Sequence, residues 1–192
     1  MSDFVLASAS PRRLELLRRV GLRPRVLAVD IDETPVAGEE PVAYARRMAE
    51  EKARACPEAG SLVLAADTVV HVDGRIFGKP TDEADARAML GELSGREHEV
   101  TTAFALRRGE AIEVGHCCTL VRFRELTEDL IRAYVATGEP SDKAGGYGIQ
   151  GLGACLVSGI VGSYPNVVGL PLVPVLEALA RAGGPSPLSE SP

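Results

Sequence analysis

Short apolar runs alternate along the chain with stretches in which apolar residues recur every three or four positions. The short runs are typical of strands, and the three-to-four spacing is typical of amphipathic helices. This alternation predicts an α/β fold, with the pairing of the strands left open. The predicted strands are 4–7, 26–29, two segments within 61–72, 99–106, 113–123 and 156–161, and the predicted helices are 11–20, 41–55, 82–93, 128–137 and 172–182.

Typical N-cap and turn residues separate these predicted elements. Ser10, Thr81 and Thr127 precede predicted helices and are expected to be N-caps, because a side-chain oxygen at that position accepts a backbone N–H. The pairs Asp73-Gly74 and Arg108-Gly109 are turn signals. Residues 138–153 are rich in glycine and read as a loop.

Length and composition bound the class of protein. With 192 residues, the chain is long enough to bury a core without disulfide or metal staples. Residues 1–184 are predicted to form a single domain, and the Pro- and Ser-rich residues 185–192 a disordered tail. A formal charge of −6 argues against a nucleic-acid-binding protein, because gripping a phosphate backbone calls for a basic face.

Neither a membrane segment nor a secretory signal is visible. No apolar stretch approaches the ~20 residues needed to span a bilayer, and no basic region precedes an apolar run at the N-terminus. We therefore expect a cytoplasmic protein. Its four cysteines show no CxxC spacing and are expected to be small buried hydrophobic residues in a reducing compartment.

The segment Ser8 to Arg13 joins a predicted strand to a helix with two arginines in its first turn. Unpaired backbone N–H groups and the helix dipole already favour an anion at that position. Arg12 and Arg13 are locally unfavourable there unless a polyanion binds. The alternative is an ordinary capped helix with surface arginines.

Asp67 is a lone carboxylate in one of the most apolar segments of the chain. Burial of an unpaired charge is costly, so Asp67 needs a partner, a metal ion or a raised pKa. At the end of a strand it is suited to be a metal ligand or a general base. The alternative is a structural Asp that caps a loop.

Two lysines extend this inventory. Lys52 lies on the apolar stripe of its helix, on the same face as Ala45 and Ala49. Either its ammonium group extends to solvent, or this face borders a cleft that holds phosphate. Lys79 follows Gly78 and precedes Pro80, and taken alone it would be an ordinary turn lysine.

The stretch Asp142 to Gly151 packs four glycines around Lys143 and Gln150. Such a loop lets backbone approach a ligand. Gln150 can both donate and accept hydrogen bonds, as the edge of a nucleobase requires. The alternative is a merely flexible loop, and the pattern is not a Walker loop.

The remaining residue types point to no further chemistry. His71, His98 and His116 lie on predicted strands or their ends without ligand spacing, so structural or surface roles are expected. No GxSxG or other nucleophile–base motif offers a candidate for covalent catalysis.

Taken together, these motifs resemble the Maf family. Their order along the chain is that of the family, and they cover residues from about 4 to 173. The departures are minor, such as Ala66 before Asp67 and Pro165 after Tyr164, and neither touches the expected chemistry. The motifs are SASPRRLELL, Asp32-Glu33-Thr34-Pro35, Glu51-Lys52-Ala53, Ala66-Asp67-Thr68-Val69, Gly78-Lys79-Pro80, Leu93-Ser94-Gly95, DKAGGYGIQG, Gly162-Ser163-Tyr164 and NVVGLPL.

The resemblance implies a mixed, twisted sheet flanked by helices, with two lobes around a deep cleft, similar to the inosine triphosphate pyrophosphatases. It implies hydrolysis of a nucleoside triphosphate to monophosphate and pyrophosphate, dependent on Mg²⁺ or Mn²⁺, by a homodimer. Charge and hydropathy already argue against a nucleic-acid or membrane partner. The substrates implied are dTTP and UTP, with modified pyrimidine nucleotides also suited to the pocket.

The resemblance also assigns roles to residues. Asp67 matches the catalytic proton acceptor, and Glu33 with Asp67 would hold the metal ion. Arg12, Thr68 and Gln150 match positions of base selection. The other polar positions that match are Ser8, Arg13, Lys52 and Lys79.

Two other functions stay open from the sequence. The first is a nucleotide-binding regulator of cell division that acts through protein partners, since Maf relatives are associated with inhibition of septum formation. The second is a phosphatase that releases inorganic phosphate. The acids and bases favour turnover, because a pure sensor could dispense with Asp67.

Overall fold

The computed structural model describes residues 3–58 and 60–187 and contains an α/β fold. The strands are β1 Phe4–Leu6, β2 Arg25–Val26, β3 Leu62–Val72, β4 Arg75–Phe77, β5 Glu97–Arg108, β6 Ala111–Phe123 and β7 Val157–Val161. The helices are α1 Pro11–Arg19, α2 Pro41–Ala55, α3 Glu83–Leu93, α4 Glu128–Val135, α5 Tyr164–Val168 and α6 Leu172–Arg181. Short 3₁₀ segments cover Glu139–Asp142, Ala144–Gly146 and Leu152–Leu156.

The seven strands form one mixed sheet flanked by helices. Its order is β2-β1-β3-β5-β6-β7, and β4 pairs with β3 outside this path. Strand β1 is parallel to β2 and β3, whereas β4 is antiparallel to β3 and β7 is antiparallel to β6. The predicted α/β class with a mixed sheet is confirmed.

Contacts divide the chain into two compact units. The first unit comprises the described residues within Met1–Asp67, Thr102–Cys117 and Gly169–Pro192, and the second comprises Thr68–Thr101 and Cys118–Val168. The boundaries between units fall inside the strands β3, β5 and β6.

Each unit has its own buried apolar residues, contributed by both strands and helices. In the first unit, the strands β1 and β3 and the helices α1, α2 and α6 contribute buried apolar side chains, including Leu6, Leu17, Met48, Leu64 and Leu179. In the second unit, the buried cluster includes Phe77, Leu90, Val100, Phe123 and Leu156. Burial of such side chains is the main favourable term in folding.

Several predicted element boundaries are confirmed. Helix α2 has the bounds that Pro41 and its apolar stripe indicate. Thr127 is the N-cap of α4, where its side chain accepts a hydrogen bond from the Leu130 N–H. At the β3–β4 turn, Asp73 and Gly74 both adopt positive φ, 51° and 79°.

Other boundaries differ from the prediction. The N-cap of α3 is Asp82, because its carboxylate accepts the Asp85 N–H at 2.8 Å, whereas Thr81 lies one residue earlier. Ser10 occupies the N-cap position of α1 without a side-chain cap hydrogen bond. Strand β3 continues unbroken through Asp67, where two segments were expected.

The burial of the cysteines differs from the prediction. Only Cys56 of the four cysteines is buried, and Cys118 and Cys155 are exposed, so the expectation of buried cysteines is wrong for these two. Of the predicted tail 185–192, residues 188–192 lie outside the described residues. Within the described ranges, no helix has the length and apolar character that crossing a membrane requires.

Candidate active site

In the first unit, Ser8 lies between β1 and α1, and Arg12 and Arg13 lie in the first turn of α1. The helix begins at Pro11, has no acidic residue in its first turn and receives no side-chain cap from Ser10. Ser8 is buried, and its Oγ accepts hydrogen bonds from the Ser10 N–H at 3.2 Å and from Arg13 Nη1 at 3.1 Å. The local structure therefore concentrates positive charge at a helix N-terminus, where anions are stabilised.

Arg13 is buried, with 9 % of its surface exposed. Its Nε donates to the carbonyl oxygen of Gly169 at 2.8 Å. Burial lowers the pKa of the Arg13 guanidinium from its usual value, while the nearby charge of Asp67 raises it. Arg12 and Glu33 also act on this pKa, so these charged groups share one electrostatic environment.

Glu33, Lys52 and Asp67 meet in a cluster that we call the acid–lysine cluster. Lys52 Nζ lies 2.6 Å from Glu33 Oε1 and 2.7 Å from Asp67 Oδ1. The side chains of Lys52 and Asp67 are only 12 % and 13 % exposed, whereas that of Glu33 is 52 % exposed. Asp67 therefore has a charged partner, which is the first of the three possibilities that the sequence leaves open.

Helix α2 also fixes the segment that carries Glu33, which has no regular secondary structure. The hydroxyl of Tyr44 donates to the Glu33 carbonyl oxygen at 2.8 Å, and Arg47 donates to the Thr34 carbonyl oxygen at 3.2 Å. Burial raises the pKa of Tyr44 to about 12, and the charges of Asp67 and Glu33 add to this shift. Sequence reasoning missed both Tyr44 and Arg47.

The other three predicted site residues belong to the second unit. Thr68 follows Asp67 directly in β3 and is half-buried, Lys79 is exposed in the segment after β4, and Gln150 is exposed in the glycine-rich loop. The nine predicted site residues are thus divided between the units, with Ser8, Arg12, Arg13, Glu33, Lys52 and Asp67 in the first.

Glu139 organises the loop that carries Gln150, and sequence reasoning missed it. Its Oε1 accepts from the Tyr134 hydroxyl at 2.8 Å and from the Gly153 N–H at 2.9 Å. Its Oε2 accepts from the Leu152 N–H at 2.8 Å. Burial raises the pKa of Glu139, but the hydrogen bonds from Gly153, Leu152 and Tyr134 and the charge of Lys143 together lower it, and the net shift is downward. The only available sequence signal was an acid beside a glycine-rich stretch.

The histidines contribute one structural residue and one unexpected cluster. His98 is buried, and its Nε2 lies 2.8 Å from the Tyr147 hydroxyl oxygen, so its predicted structural role is confirmed. The sequence shows no ligand spacing among the three histidines, and the structure places the His71 ring close to Glu99 and Cys118 instead. Sequence spacing does not register this cluster, because its three residues come from three different strands.

In the first unit, three cations and two carboxylates act on one another, namely Arg12, Arg13, Lys52, Glu33 and Asp67. The Maf-like protein family model matches residues 3–182. The chain belongs to the Maf-like protein family, which confirms the resemblance.

Two relatives illustrate the similarity. A dTTP/UTP pyrophosphatase of Symbiobacterium thermophilum is 51 % identical over 188 residues, covering 96 % of each chain. A dTTP/UTP pyrophosphatase of Geobacter sp. strain M21 is 53 % identical, covering 95 % of this chain and 96 % of its own. Among solved structures, the Ham1 protein of Staphylococcus aureus gives a TM-score of 0.45 at 18 % identity, covering 62 % of this chain and 71 % of its own.

Proposed function

We propose that this chain is a nucleoside triphosphate pyrophosphatase that hydrolyses dTTP and UTP, and modified pyrimidine nucleotides of the same shape, to the monophosphate and pyrophosphate. Relatives that share about half of its residues over nearly the whole chain are named dTTP/UTP pyrophosphatases. Such an activity would clear nucleotides from the cellular pool.

The observation that carries this proposal is the acid–lysine cluster. A carboxylate that abstracts a proton from water must be held in place within reach of that water. Lys52 holds the Asp67 carboxylate in position through a 2.7 Å ion pair in a largely buried place. Asp67 is therefore the residue that we assign as general base.

The positive groups of the first unit suit the charge that develops on the phosphates. Phosphoryl-type hydrolysis depends mainly on positioning and on neutralising this charge. Arg12 supplies a cation at the start of α1, and the buried Arg13 adds a second, held by Gly169 and Ser8. Lys52 supplies the third.

The donor set of the same cluster fits a hard divalent ion. Glu33 and Asp67 offer carboxylate oxygens, which are the ligands that Mg²⁺ and Mn²⁺ prefer, and both already contact one cationic group, the Lys52 ammonium. When bound, such an ion would withdraw charge from the phosphate oxygens. We propose Glu33 and Asp67 as its protein ligands.

The three residues of the second unit complete the proposal. Gln150, on a loop that Glu139 fixes, has the donor and acceptor groups to select a base edge. Thr68 and Arg12 are proposed to share in this selection. Lys79 is proposed to contact phosphate, since it is exposed and carries a mobile positive charge.

Pyrophosphate release from a nucleotide panel, with Mg²⁺ or Mn²⁺ present, tests the proposal. Asp67→Asn keeps the shape of the side chain and removes its basicity, so kcat should fall by at least about 100-fold. Asp129→Asn is the matched control, because Asp129 is an exposed acid in the first turn of α4. We expect it to retain wild-type turnover.

The products and the nucleotides separate the alternatives. Release of pyrophosphate from dTTP and UTP, lost only in Asp67→Asn, supports the chemistry and the pyrimidine assignment. Full turnover in Asp67→Asn would refute the role of Asp67. Inorganic phosphate as the first product would indicate a phosphatase, and nucleotide binding without turnover would indicate a regulator.

A further inference from the structure

Three side chains with metal-binding atoms meet on neighbouring strands of the second unit. His71 lies on β3, Glu99 on β5 and Cys118 on β6, strands that are adjacent in the sheet. One ligand atom from each lies within 4.8 Å of the other two. We call these three residues the His–Glu–Cys cluster.

The cluster lies on the face of the sheet opposite the apolar core. Successive residues of a strand point to opposite faces. Val70 and Val100, which are the strand neighbours of His71 and Glu99, belong to the buried core of the second unit. His71 is buried, Glu99 is half-buried and Cys118 is exposed, so the cluster is anchored at one end and accessible at the other.

The distances between its atoms approach those of a metal-binding site. His71 Nε2 lies 3.6 Å from Glu99 Oε2, and Cys118 Sγ donates to the same oxygen at 3.3 Å. In a tetrahedral zinc site, ordinary bond lengths to N, O and S place the ligand atoms about 3.4–3.6 Å apart. Two of the three separations are therefore already close to those of a bound ion.

One further contact concerns the histidine. His71 Nε2 also lies 3.0 Å from the Thr101 hydroxyl oxygen. Thr101 follows Glu99 by two residues on β5 and therefore shares its face. Binding of an ion through His71 Nε2 would break this neutral hydrogen bond, and the Thr101 hydroxyl can rotate to another partner.

The cluster borders an open pocket of about 270 Å³, whose lining includes His71, Glu99, Asp73 and Glu97. Asp73 is paired with Arg96 at 2.7 Å, and Glu97 with Arg122 at 2.5 Å. The charges of these two acids are thus compensated, and Glu99 is the acid directed to the cluster. The pocket gives room for a water molecule or a small ligand beside a bound ion.

We propose that His71, Glu99 and Cys118 bind a transition-metal ion of the Zn²⁺ class, with a fourth position open to the pocket. Imidazole and thiolate ligands select zinc-like ions over Mg²⁺ and Mn²⁺, which prefer oxygen. Binding releases the thiol proton of Cys118 to solvent, because the thiolate is the ligand. The site uses none of the residues of the acid–lysine cluster and does not rest on the proposed hydrolysis.

Titration of the purified, reduced protein with Co²⁺ tests the proposal. A thiolate bound to Co²⁺ gives a charge-transfer absorption band that carboxylate ligands do not give, so a metal ion at Glu33 and Asp67 is silent in this measurement. We expect the band to saturate at one equivalent and to disappear on addition of Zn²⁺. Cys118→Ala should abolish it.

Matched thiol controls are available. Cys117→Ala removes the adjacent thiol of the same strand, and Cys155→Ala removes the other exposed thiol. Both variants should keep the band. Glu99→Gln should raise the Kd for Co²⁺ at least about tenfold, because mutation of a residue that only hydrogen-bonds to a metal ligand already weakens metal affinity by this factor.

Folding of each variant is checked by circular dichroism. The Glu99 side chain is 46 % exposed, so Glu99→Gln tests the site without disturbing the core. No charge-transfer band in the wild type would overturn the proposal. A band of equal strength in Cys118→Ala, or an unchanged Kd in Glu99→Gln, would overturn it as well.

Discussion

At the scale of single residues, Asp67 illustrates how a charge is accommodated in an apolar strand. The strand continues through it because Lys52 supplies an opposite charge at 2.7 Å. Truncation of Lys52 would leave Asp67 without that partner in a largely buried position, and unpaired buried charges are strongly destabilising. The pairing therefore serves stability and the proposed chemistry together.

His98 is a buried histidine whose environment favours the neutral ring. It is 1 % exposed and stacks edge-on against Phe123 and Tyr147. Among the described residues, its Nδ1 has no hydrogen-bond partner. Burial, with a smaller effect of the nearby His71, lowers the pKa of His98 from 6.5 to about 4.

This pKa predicts a loss of stability in weak acid. Below pH 6.5 the unfolded chain protonates His98 and the folded chain does not, so the free energy of unfolding falls until the pH reaches about 4. The full effect is about 3 kcal/mol. Urea denaturation at a series of pH values, comparing wild type with His98→Gln, measures it, and the variant should show a shallower decline.

His116 provides the control for this prediction, because it is exposed. His116→Gln should keep the wild-type decline. The assignment to His98 is wrong if both variants follow the wild type. The buried His71, whose pKa is also lowered by burial, accounts for a remaining decline in His98→Gln.

The residues that the sequence could predict are those that break a local pattern. Asp67 interrupts an apolar run, and Lys52 interrupts the apolar stripe of α2, so each was visible alone. Glu139, Tyr44 and the His–Glu–Cys cluster depend on contacts between different segments of the chain, which periodicity does not register. Only the structure therefore shows the roles of these residues.

At the scale of elements, the glycine-rich loop is ordered by specific contacts. The Gly145 N–H donates to the Gly78 carbonyl oxygen at 3.0 Å. Gly145 has a φ of 69°, and a Cβ at this position would lie 2.9 Å from Val70 Cγ1. Glycine is therefore required here both by backbone conformation and by close packing.

Gly145→Ala should destabilise the protein more than Gly138→Ala. Both glycines have positive φ, but a Cβ at Gly138 meets nothing within 4 Å. The shared backbone strain costs roughly 1–2 kcal/mol, and the clash with Val70 adds about 1–3 kcal/mol. Thermal and urea denaturation of the two variants measure the difference, and equal losses would show that the packing against Val70 is unimportant.

Elements with strong local signals could be predicted, and those without them could not. Helix α2 combines Pro41 with a regular apolar stripe, so its bounds were recovered. Strand β4 has three residues and helix α5 has five, too few to show a period, and both were missed. Thr81 was predicted as the cap of α3, whereas the hydrogen bond from the Asp85 N–H identifies Asp82; both residue types cap helices, so residue type alone does not distinguish them.

At the scale of the whole molecule, the strand order ends at β7 on one side. This edge strand has five residues, and Ile160 and Val161 are exposed there, the latter at 71 %. An edge strand offers unpaired backbone groups to other chains, and apolar side chains without a nearby charge favour such pairing.

A charge at this edge should reduce association of the chain with itself. We expect Val161→Lys to lower light scattering during refolding at high protein concentration. Val173→Lys is the control, because Val173 is exposed to a similar extent, 67 %, but lies on helix α6. Equal effects of both variants would assign the change to net charge rather than to the edge.

Assembly and location stay predictions at this scale. The homodimer rests on the family resemblance, and sedimentation velocity measures it directly. The single-domain assignment of residues 1–184 is tested by denaturation followed by probes in each of the two units, since one domain should give coincident transitions. The cytoplasmic location is tested by cell fractionation.

The turn between β3 and β4 has a consequence for the chemical ageing of the protein. Asp73 holds a left-handed conformation with its side chain 81 % exposed, and the residue after it is glycine. The backbone nitrogen of Gly74 can attack the side-chain carboxyl carbon of Asp73, and the absence of a side chain on Gly74 leaves this attack unhindered. The reaction closes a succinimide ring with loss of water. Hydrolysis of that ring yields isoaspartate, with one extra carbon in the main chain. Prolonged storage should therefore alter this hairpin first, beside the pocket that borders His71.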